Sequence, residues 1–239
     1  MTSKYLLSAF VGMVLFVACK KEEVTEPDLG YGYFPTKVGT WVEYQVDSLW
    51  RDDPSSVRDS VSYRLREKIV QHYNDLEGRP CQMIHRFVQN EDGEWVIRDV
   101  WTSTVDAYRA EKSEENYRKL KLSFPVRNAR KWDMNALGTS AVNNPAENDE
   151  FMVGYEKVDQ PWNNAYLSFS KTVLVKNTVP ANFVVKRYFE ERYADGVGMV
   201  ERYQEETNTQ LFYPPAPAPP VLQVRGWRLR MTAVAYGVD

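Results

Sequence analysis

The sequence predicts a mainly β protein, built as a single antiparallel sheet that is strongly curved or forms an incomplete barrel. Most segments alternate apolar and polar residues with a period of two, which is typical of strands with one buried face. Turn-forming residues separate these segments at short intervals, and no strand–helix–strand spacing is found. We count about ten strands, and a sheet of that size must curl or split into two layers. A β-sandwich is therefore the alternative.

The first two strands show the pattern most clearly. Residues 41–47 place Val42, Tyr44 and Val46 on one face and polar residues on the other. This alternation predicts a strand with one buried and one solvated side. Residues 57–72 contain many β-forming residues and few that break strands, so they are predicted to form the second strand.

The next two strands are separated by recognisable turns. Residues 74–80 contain Asn, Asp, Gly and Pro, which indicates a turn before a strand at 81–88. Asp92-Gly93 indicates a hairpin, because this dipeptide tolerates the positive φ of a tight turn. The strand that returns, 95–104, carries large side chains on both faces and is expected to be central.

Residues 110–116 are the best helix candidate, with Ser113 as a possible N-cap. The segment is too short to bury an apolar stripe, so a polar turn is the favoured interpretation. Residues 117–124 alternate apolar residues such as Leu120 and Leu122 with polar ones, and they predict a strand.

The last part of the chain continues in the same way. A long polar loop is predicted at 136–150, a turn at Asp195-Gly196, and an extended polyproline segment at 214–220. The remaining predicted strands are 151–158, 165–175, 183–193, 198–205 and a final strand from Trp227 to the end.

Composition excludes several classes of protein. The 239 residues carry 30 Lys and Arg against 33 Asp and Glu, a net charge of −3, whereas nucleic-acid-binding proteins usually have basic surfaces. Two cysteines exclude a disulfide framework and a zinc site of four cysteines. A mean hydropathy of −0.53 excludes a polytopic membrane protein.

Residues 1–18 are predicted to be a lipoprotein signal peptide. Lys4 precedes the apolar run Tyr5–Ala18, which has the length of a secretory core and is too short to span a membrane. The run ends in Phe16-Val17-Ala18-Cys19, which resembles the bacterial lipobox except for Phe16 in place of the usual Leu. The resemblance implies cleavage before Cys19, a diacylglycerol on its thiol and acylation of the new amino group. An ordinary signal peptide with a chance cysteine is the alternative.

Residues 19–33 are predicted to be the lipidated cysteine and a flexible tether, because the segment is polar and has no apolar periodicity. A single all-β domain is expected to follow at 34–239. Lys21, Glu22 and Glu23 resemble the export signal by which Bacteroidota lipoproteins reach the cell surface. We therefore expect a lipid-anchored outer-membrane protein that faces either the periplasm or the cell exterior. Its expected partners are the lipid bilayer and the lipoprotein processing and sorting machinery, and no nucleic acid.

Three longer motifs resemble an uncharacterised family of Bacteroidota lipoproteins. They are the opening YFPTKVGTWVEY at 33–44, the late hairpin YADGVGMV at 193–200, and GWRLR at 226–230. The resemblance spans nearly all of the predicted mature chain. It implies a curved antiparallel sheet similar to that of the lipoprotein-carrier half-barrels, and it implies nothing about activity.

No catalytic motif is found, so we predict a protein that is not an enzyme and that uses no cofactor or metal. His72 and His85 stand thirteen residues apart on different strands, without ligand spacing. Cys81 is predicted to be a small buried hydrophobic residue. The acidic run at 147–150 lacks a calcium-loop pattern and is predicted to be solvated.

The aromatic residues are the remaining candidates for ligand contact. The chain has 7 Trp, 15 Tyr and 10 Phe, which either fill the core or line a groove. Trp50, near a strand end, and Trp162, in a loop after Pro161, are predicted to be exposed and available to a ligand. Ser48 and Ser60 lie in Asp-Ser-Leu and Asp-Ser-Val triplets that resemble the Bacteroidota O-glycosylation pattern.

The leading functional hypothesis is a non-catalytic envelope lipoprotein that binds or carries a ligand. The alternatives are a glycan-binding surface protein and a hydrolase with residues scattered across strand ends. A concave apolar face would favour a carrier, and an exposed aromatic strip would favour a glycan-binding protein. A cleft with convergent titratable groups would favour an enzyme.

Overall fold

The computed structural model describes residues 27–138, 151–178 and 183–239. Within these ranges, twelve antiparallel strands form one sheet in the order β6-β5-β4-β3-β2-β1-β12-β11-β10-β9-β8-β7. The strands are β1 (Thr40–Asp52), β2 (Val57–Asn74), β3 (Pro80–Gln89), β4 (Trp95–Val105), β5 (Arg109–Glu114), β6 (Tyr117–Ser123), β7 (Lys131–Asp133), β8 (Met152–Asn163), β9 (Ser168–Asn177), β10 (Val185–Ala194), β11 (Gly198–Phe212) and β12 (Val221–Val238). The predicted single, strongly curved antiparallel sheet is confirmed.

The two edge strands of the sheet, β6 and β7, approach each other and nearly close a barrel. The Leu120 N–H donates to the Met134 carbonyl at 2.8 Å, and the Trp132 Nε1–H donates to the Leu120 carbonyl at 2.9 Å. The Tyr155 hydroxyl accepts a hydrogen bond from the Ser123 N–H at 2.8 Å. These bonds satisfy backbone groups that a sheet edge would otherwise expose. One continuous sheet therefore takes the place of the sandwich alternative.

Period-two alternation directs one face of each strand into the barrel. Val42, Tyr44 and Val46 of β1 are buried as their alternation predicts, and Tyr44 lies opposite the fully buried Leu65 of β2. The Tyr44 hydroxyl donates to the Met199 carbonyl at 2.8 Å, so its polar end is satisfied inside the core. Burying each such side chain contributes about 1.5–3 kcal/mol.

One end of the barrel is closed by the segment that leads into β1. Tyr31–Tyr33 form a 3-10 helix, and the buried Tyr33 donates through its hydroxyl to the Asp159 carboxylate at 2.6 Å. The Val126 N–H donates to the Leu29 carbonyl at 3.0 Å. The last residues of the predicted tether thus pack on the barrel, because Tyr33 fills its closed end.

Residues 110–116 form neither a helix nor a simple turn. Arg109–Glu114 form β5, and Glu115 and Asn116 make the tight turn into β6 with φ values of 48° and 66°. Charged residues fill this strand because several of its side chains are buried in ion pairs inside the barrel. The polar residues of this segment favoured a solvent-exposed turn, and that prediction is wrong.

The other end of the barrel is open, and five strands extend past it. β2 pairs with β3 only from Leu65 onward, whereas its residues 57–64 pair with β1 alone. β11 and β12 remain paired as far as Phe212 and Val221. The link at 214–220 was predicted to be extended polyproline, but it contains a turn in which the Ala218 N–H donates to the Pro215 carbonyl at 3.2 Å. β10 pairs with β11 from Val185 but with β9 only from Glu190, so the extension consists of the distal parts of β2, β1, β12, β11 and β10.

Candidate functional site

The middle of the barrel interior holds a cluster of buried charges. Glu191 of β10 is 0% exposed and accepts hydrogen bonds from Lys121 Nζ at 2.6 Å and Arg202 Nε at 2.7 Å. The Tyr193 hydroxyl donates to the other oxygen of Glu191 at 2.6 Å. Arg202 also donates to Glu114 of β5 at 2.5 Å. The cluster therefore joins strands from opposite walls of the barrel.

A second part of the cluster is centred on Glu67 of β2. Its carboxylate accepts hydrogen bonds from Arg86 Nε at 3.1 Å and Lys112 Nζ at 2.6 Å. Arg86 also donates to Asp99 at 3.0 Å and lies 3.5 Å from the ring centre of Trp101. In the two parts, Glu67, Asp99, Glu114 and Glu191 face Arg86, Lys112, Lys121 and Arg202, and Lys119 lies 3.5 Å from Glu114 at the edge of the cluster.

Three carboxylates of the cluster, those of Glu67, Glu114 and Glu191, have lowered pKa values that favour the charged form. Burial alone would raise the pKa of Glu114, but the charges of Arg202 and Lys121 outweigh it and hold this pKa well below the ordinary value. Burial is likewise outweighed by Lys121 and Arg202 at Glu191, whose pKa is lowered. A cavity of about 70 Å³ beside these groups is small compared with ligand pockets of about 300–1,000 Å³. The cluster is therefore built to satisfy itself rather than to receive a ligand.

The inward face of the strands continues beyond the core into the extension, where it meets solvent. On β1, Trp50 follows the buried Val46 on the same face, because no register shift interrupts this part of the strand. Directly opposite residues in adjacent antiparallel strands share a face. One row of such residues crosses five strands at the open end, and we call it the mouth row. Its members are Asp59, Trp50, Trp227, Glu206 and Arg187, on β2, β1, β12, β11 and β10.

The centre of the mouth row is aromatic and its flanks are acidic. Trp50 is 44% exposed and Trp227 is half-buried. Among the described residues, neither indole N–H has a hydrogen-bond acceptor, and the Asp59 carboxylate has neither an ion pair nor a hydrogen bond. Glu206 lies 3.4 Å from Arg187 in a solvent-exposed ion pair. Two indoles and one unpaired carboxylate are thus presented together to solvent.

Polar and apolar side chains alternate around the mouth row. The neighbouring row toward the core is Val61, Ser48, Leu229, Gln204 and Phe189, and the row away from it is Val57, Asp52, Arg225, Asn208 and Val185. Val61 is 51% exposed, and Asp52 is paired with Arg225 at 3.0 Å. A cavity of about 140 Å³ lies at the β10 end of the mouth row, where Glu206 and Arg187 contribute to its lining. The open end is therefore an amphipathic concave surface.

The two tryptophans predicted to contact a ligand differ in position. Trp50 lies on the mouth row, and its contact with a ligand stays a prediction. Trp162 lies in β8 rather than in a loop, is half-buried, and stacks on Phe169 with the ring centres 6.1 Å apart. The Arg192 guanidinium lies 4.8 Å from the Trp162 ring centre. Pro161 fits within this strand because the pairing of β8 with β9 is irregular there.

Trp227 was not singled out from the sequence, although it lies opposite Trp50. Its alternation with Leu229, Met231 and Ala233 places it on the buried face of the last strand. Nothing local indicates that this strand pairs with the first one, or in which register. The sequence shows only that both strands alternate apolar and polar residues, which does not report that they pair.

The predicted modification sites lie on different faces. Ser60 is exposed on the outer face of β2, whereas Ser48 is half-buried on the inward face beside the mouth row. Their O-glycosylation stays a prediction. Cys19, the export signal at Lys21, Glu22 and Glu23, and the acidic run at 147–150 lie outside the described residues.

In the part of the chain that the structure describes, His72, His85 and Cys81 do not form a common site. His72 is exposed, with Nε2 2.6 Å from the Thr36 carbonyl oxygen, and His85 is half-buried beside Phe87. Cys81 is buried, as predicted, with its sulfur 2.9 Å from the Thr104 hydroxyl. Within the described ranges, no group of three His, Cys, Asp or Glu residues is arranged to hold a metal ion. The same ranges contain no helix with the length and apolar character needed to cross a membrane.

Comparison with known proteins finds a distant similarity at the level of structure. No family model matches the chain, and no curated protein matches it. A solved structure from Bacteroides fragilis, described as a "putative exported protein with YMCC-like fold", is 13% identical in sequence. The match covers 85% of this chain and 98% of that chain, with a TM-score of 0.37. A similarity at this level carries no function across.

Proposed function

We propose that this protein is a lipid-anchored outer-membrane lipoprotein that binds a ligand at the open end of its barrel and does not transform it. The mouth row is the observation that supports binding. Trp50 and Trp227 occupy the solvent-exposed continuation of the inner face, where their large apolar surfaces contribute little to the core. The buried carboxylates of the interior are engaged by buried bases, so the open end is the better candidate site.

The position of the first described residues supports an orientation in which the open end of the barrel faces away from the membrane. The first described residues lie at the closed end, where the Asp28 carboxylate is 2.5 Å from Lys171 Nζ. Seven residues lie between Cys19 and Pro27, and the eight Cα–Cα steps limit the reach of an anchor at Cys19 to about 28 Å. The barrel would then stand close to the bilayer on its closed end.

The anchoring is tested by mass spectrometry of the protein isolated from the membranes of producing cells. We expect the amino-terminal peptide to begin at Cys19 and to carry the mass of the added acyl groups. Cys19→Ala should remove both the acylation and the membrane association. An unmodified Cys19, or cleavage at another residue, contradicts the anchoring.

Orientation is tested separately by protease treatment of intact cells. If Lys21, Glu22 and Glu23 direct surface display, the wild-type domain is digested, and replacing all three with alanine protects it. Protection of the wild type would place the domain in the periplasm. Equal digestion of both forms would show that these three residues are not the export signal.

Binding at the open end is tested with an extract of envelope lipids and glycans. The wild-type chain and a Trp50→Ala/Trp227→Ala variant are incubated with the extract, and retained small molecules are identified by mass spectrometry. We expect the wild type to retain a species that the double variant loses. Identical retention by both proteins contradicts binding at the mouth row.

A further inference from the structure

We infer that the mouth row binds a neutral oligosaccharide, with sugar rings stacked on Trp50 and Trp227 and hydroxyl groups donating to Asp59. This inference rests on the proposed binding function and names its ligand class. It is carried by three features of the row: the paired indoles, the unpaired carboxylate and the balance of charge around them.

The two indoles form an open platform. Trp50 and Trp227 are directly opposite each other on adjacent strands, which places their Cβ atoms about 4.5–5.5 Å apart. No ring contact joins them among the aromatic contacts of the described residues, so they do not close into a cage around a small cation. A sugar ring has one face of C–H groups and a rim of hydroxyls, so it can stack its C–H face on an indole while its rim stays hydrogen-bonded.

The carboxylate beside Trp50 discriminates between a sugar and an acyl chain. Asp59 lies next to Trp50 in the row and has no partner among the described residues. An acyl chain laid across the row would remove water from this charge without replacing its hydrogen bonds, which is costly. Sugar hydroxyls would supply those hydrogen bonds, and hydrogen bonds to charged groups are stronger than neutral ones. The row therefore favours a sugar over a lipid tail.

The charges around the row favour a neutral sugar over an acidic one. The guanidinium groups of the mouth row and of the row beyond it are engaged: Arg187 lies 3.4 Å from Glu206, and Arg225 lies 3.0 Å from Asp52. In the three rows of the open end, the unpaired charge is the negative one of Asp59. A carboxylated, sulfated or phosphorylated sugar would meet this charge without a free cation to balance it.

The dimensions of the row suit more than one sugar unit. Five adjacent strands spaced about 4.8 Å apart give a row of about 19 Å. At Asp59 the row ends on β2, which has no further paired strand at this level, so a chain can run past that end. The cavity of about 140 Å³ beside Glu206 and Arg187 gives room for a branch or for one end of the chain.

The test uses the full chain carrying Cys19→Ser, applied to an array of neutral and acidic oligosaccharides of hexoses and N-acetylhexosamines. The strongest ligand is then titrated by calorimetry into the wild type and into three single variants. Trp50→Ala and Trp227→Ala should each weaken binding about tenfold or more, because each removes a stacking surface. The matched control is Trp95→Ala, which removes a tryptophan from the outer face of β4, where Arg66 lies 4.3 Å from its ring centre. It should change affinity less than about twofold.

Each outcome bears on the inference. Binding of a neutral oligosaccharide that requires both mouth tryptophans supports it. A blank array, binding of acidic sugars only, or equal losses from Trp95→Ala and Trp50→Ala overturn it. The same proteins are titrated with cis-parinaric acid and with choline. If the array is blank and either probe binds in a way that depends on Trp50, the sugar-binding inference is wrong. The proposed binding function would then still hold. No binding of any kind removes both.

Discussion

The buried cluster and the mouth row lie on the same inward face and share strands β2, β10 and β11, yet their charges behave differently. On β10, Glu191 of the cluster and Arg187 of the mouth row are four residues apart, and on β11 the same spacing separates Arg202 from Glu206. Glu191 is 0% exposed with three hydrogen-bond donors, whereas the pair of Arg187 and Glu206 is largely exposed. Position along the barrel axis, rather than residue type, decides whether an inward charge is locked or accessible.

This difference has an energetic consequence. A buried ion pair adds little net stability, but removing one partner leaves a charge stranded in a poorly solvated site. An exposed pair is worth about 0–1 kcal/mol. Substitutions in the cluster are therefore expected to destabilise the fold, whereas substitutions in the mouth row are expected to have little effect on its stability. A ligand-binding surface on this scaffold is best placed at the mouth.

The largest effect is expected from Glu191→Ala, which would leave Lys121 and Arg202 buried without one of their shared acceptors. We expect a loss of about 3–5 kcal/mol in the free energy of unfolding, measured by urea denaturation. Glu206→Ala on the neighbouring strand is the matched control and should cost no more than about 1 kcal/mol. Equal losses in the free energy of unfolding for the two variants would contradict the difference between the buried cluster and the mouth row.

The tryptophans allow the same comparison between a buried and an exposed side chain. Trp132 is 7% exposed at the seam of the barrel, and its indole N–H donates to the Leu120 carbonyl. Trp132→Ala should cost about 3 kcal/mol or more, from lost burial and an unsatisfied carbonyl. Trp50→Ala should cost less than about 1 kcal/mol, because that side chain already meets solvent. A thermal denaturation series in which Trp50→Ala is the more damaging variant would show that Trp50 is structural.

Acid should destabilise the protein through the cluster. The pKa values of Glu114 and Glu191 are lowered in the folded state from an unfolded value of 4.5, because the attraction of Arg202 and Lys121 outweighs burial. A lowered pKa contributes stability that is present above pH 4.5 and is lost as the pH falls below it. The melting temperature should therefore drop steeply between about pH 5 and pH 3. Glu191→Gln should be less stable at pH 7 and less sensitive to pH in this interval. Parallel pH profiles for the two proteins would contradict this origin of the acid sensitivity.

The contrast between the two regions also explains what could be predicted from the sequence. Alternation within one strand reports which residues share a face, so the strand at Val42, Tyr44 and Val46 and the curved antiparallel sheet were predictable. Charges within a strand usually mark its solvent side, so the buried Glu114 was read as part of a polar turn. Its partner Arg202 is 88 residues away, and no local pattern reports that contact.

For the same reason, only one of the two tryptophans of the candidate site could be predicted from the sequence. Trp50 stands beside polar residues near a strand end, which is a local signal of exposure. Its neighbour Trp227 is set by the pairing of the first strand with the last, 177 residues away in the chain. The loop expected at Trp162 was wrong, because Pro161 lies in an irregular strand and Trp162 packs on Phe169, while the contact of Trp162 with a ligand stays a prediction. Register across the sheet, rather than residue type, carries the missing information.

The smallest effect on stability is expected from Asp59→Asn. Its carboxylate has no ion pair or hydrogen bond in the described part of the chain, so the folded state loses no contact when the charge is removed. The free energy of unfolding should change by less than about 0.5 kcal/mol. Affinity for a neutral oligosaccharide should nevertheless fall several-fold, since a neutral amide accepts weaker hydrogen bonds than a carboxylate. Calorimetry and urea denaturation on the same sample separate the two quantities. A loss of stability above 1.5 kcal/mol (beyond the surface range of about 0.5 kcal/mol) would mean that Asp59 has a structural role like that of Glu191, and that the mouth row is not free to serve a ligand.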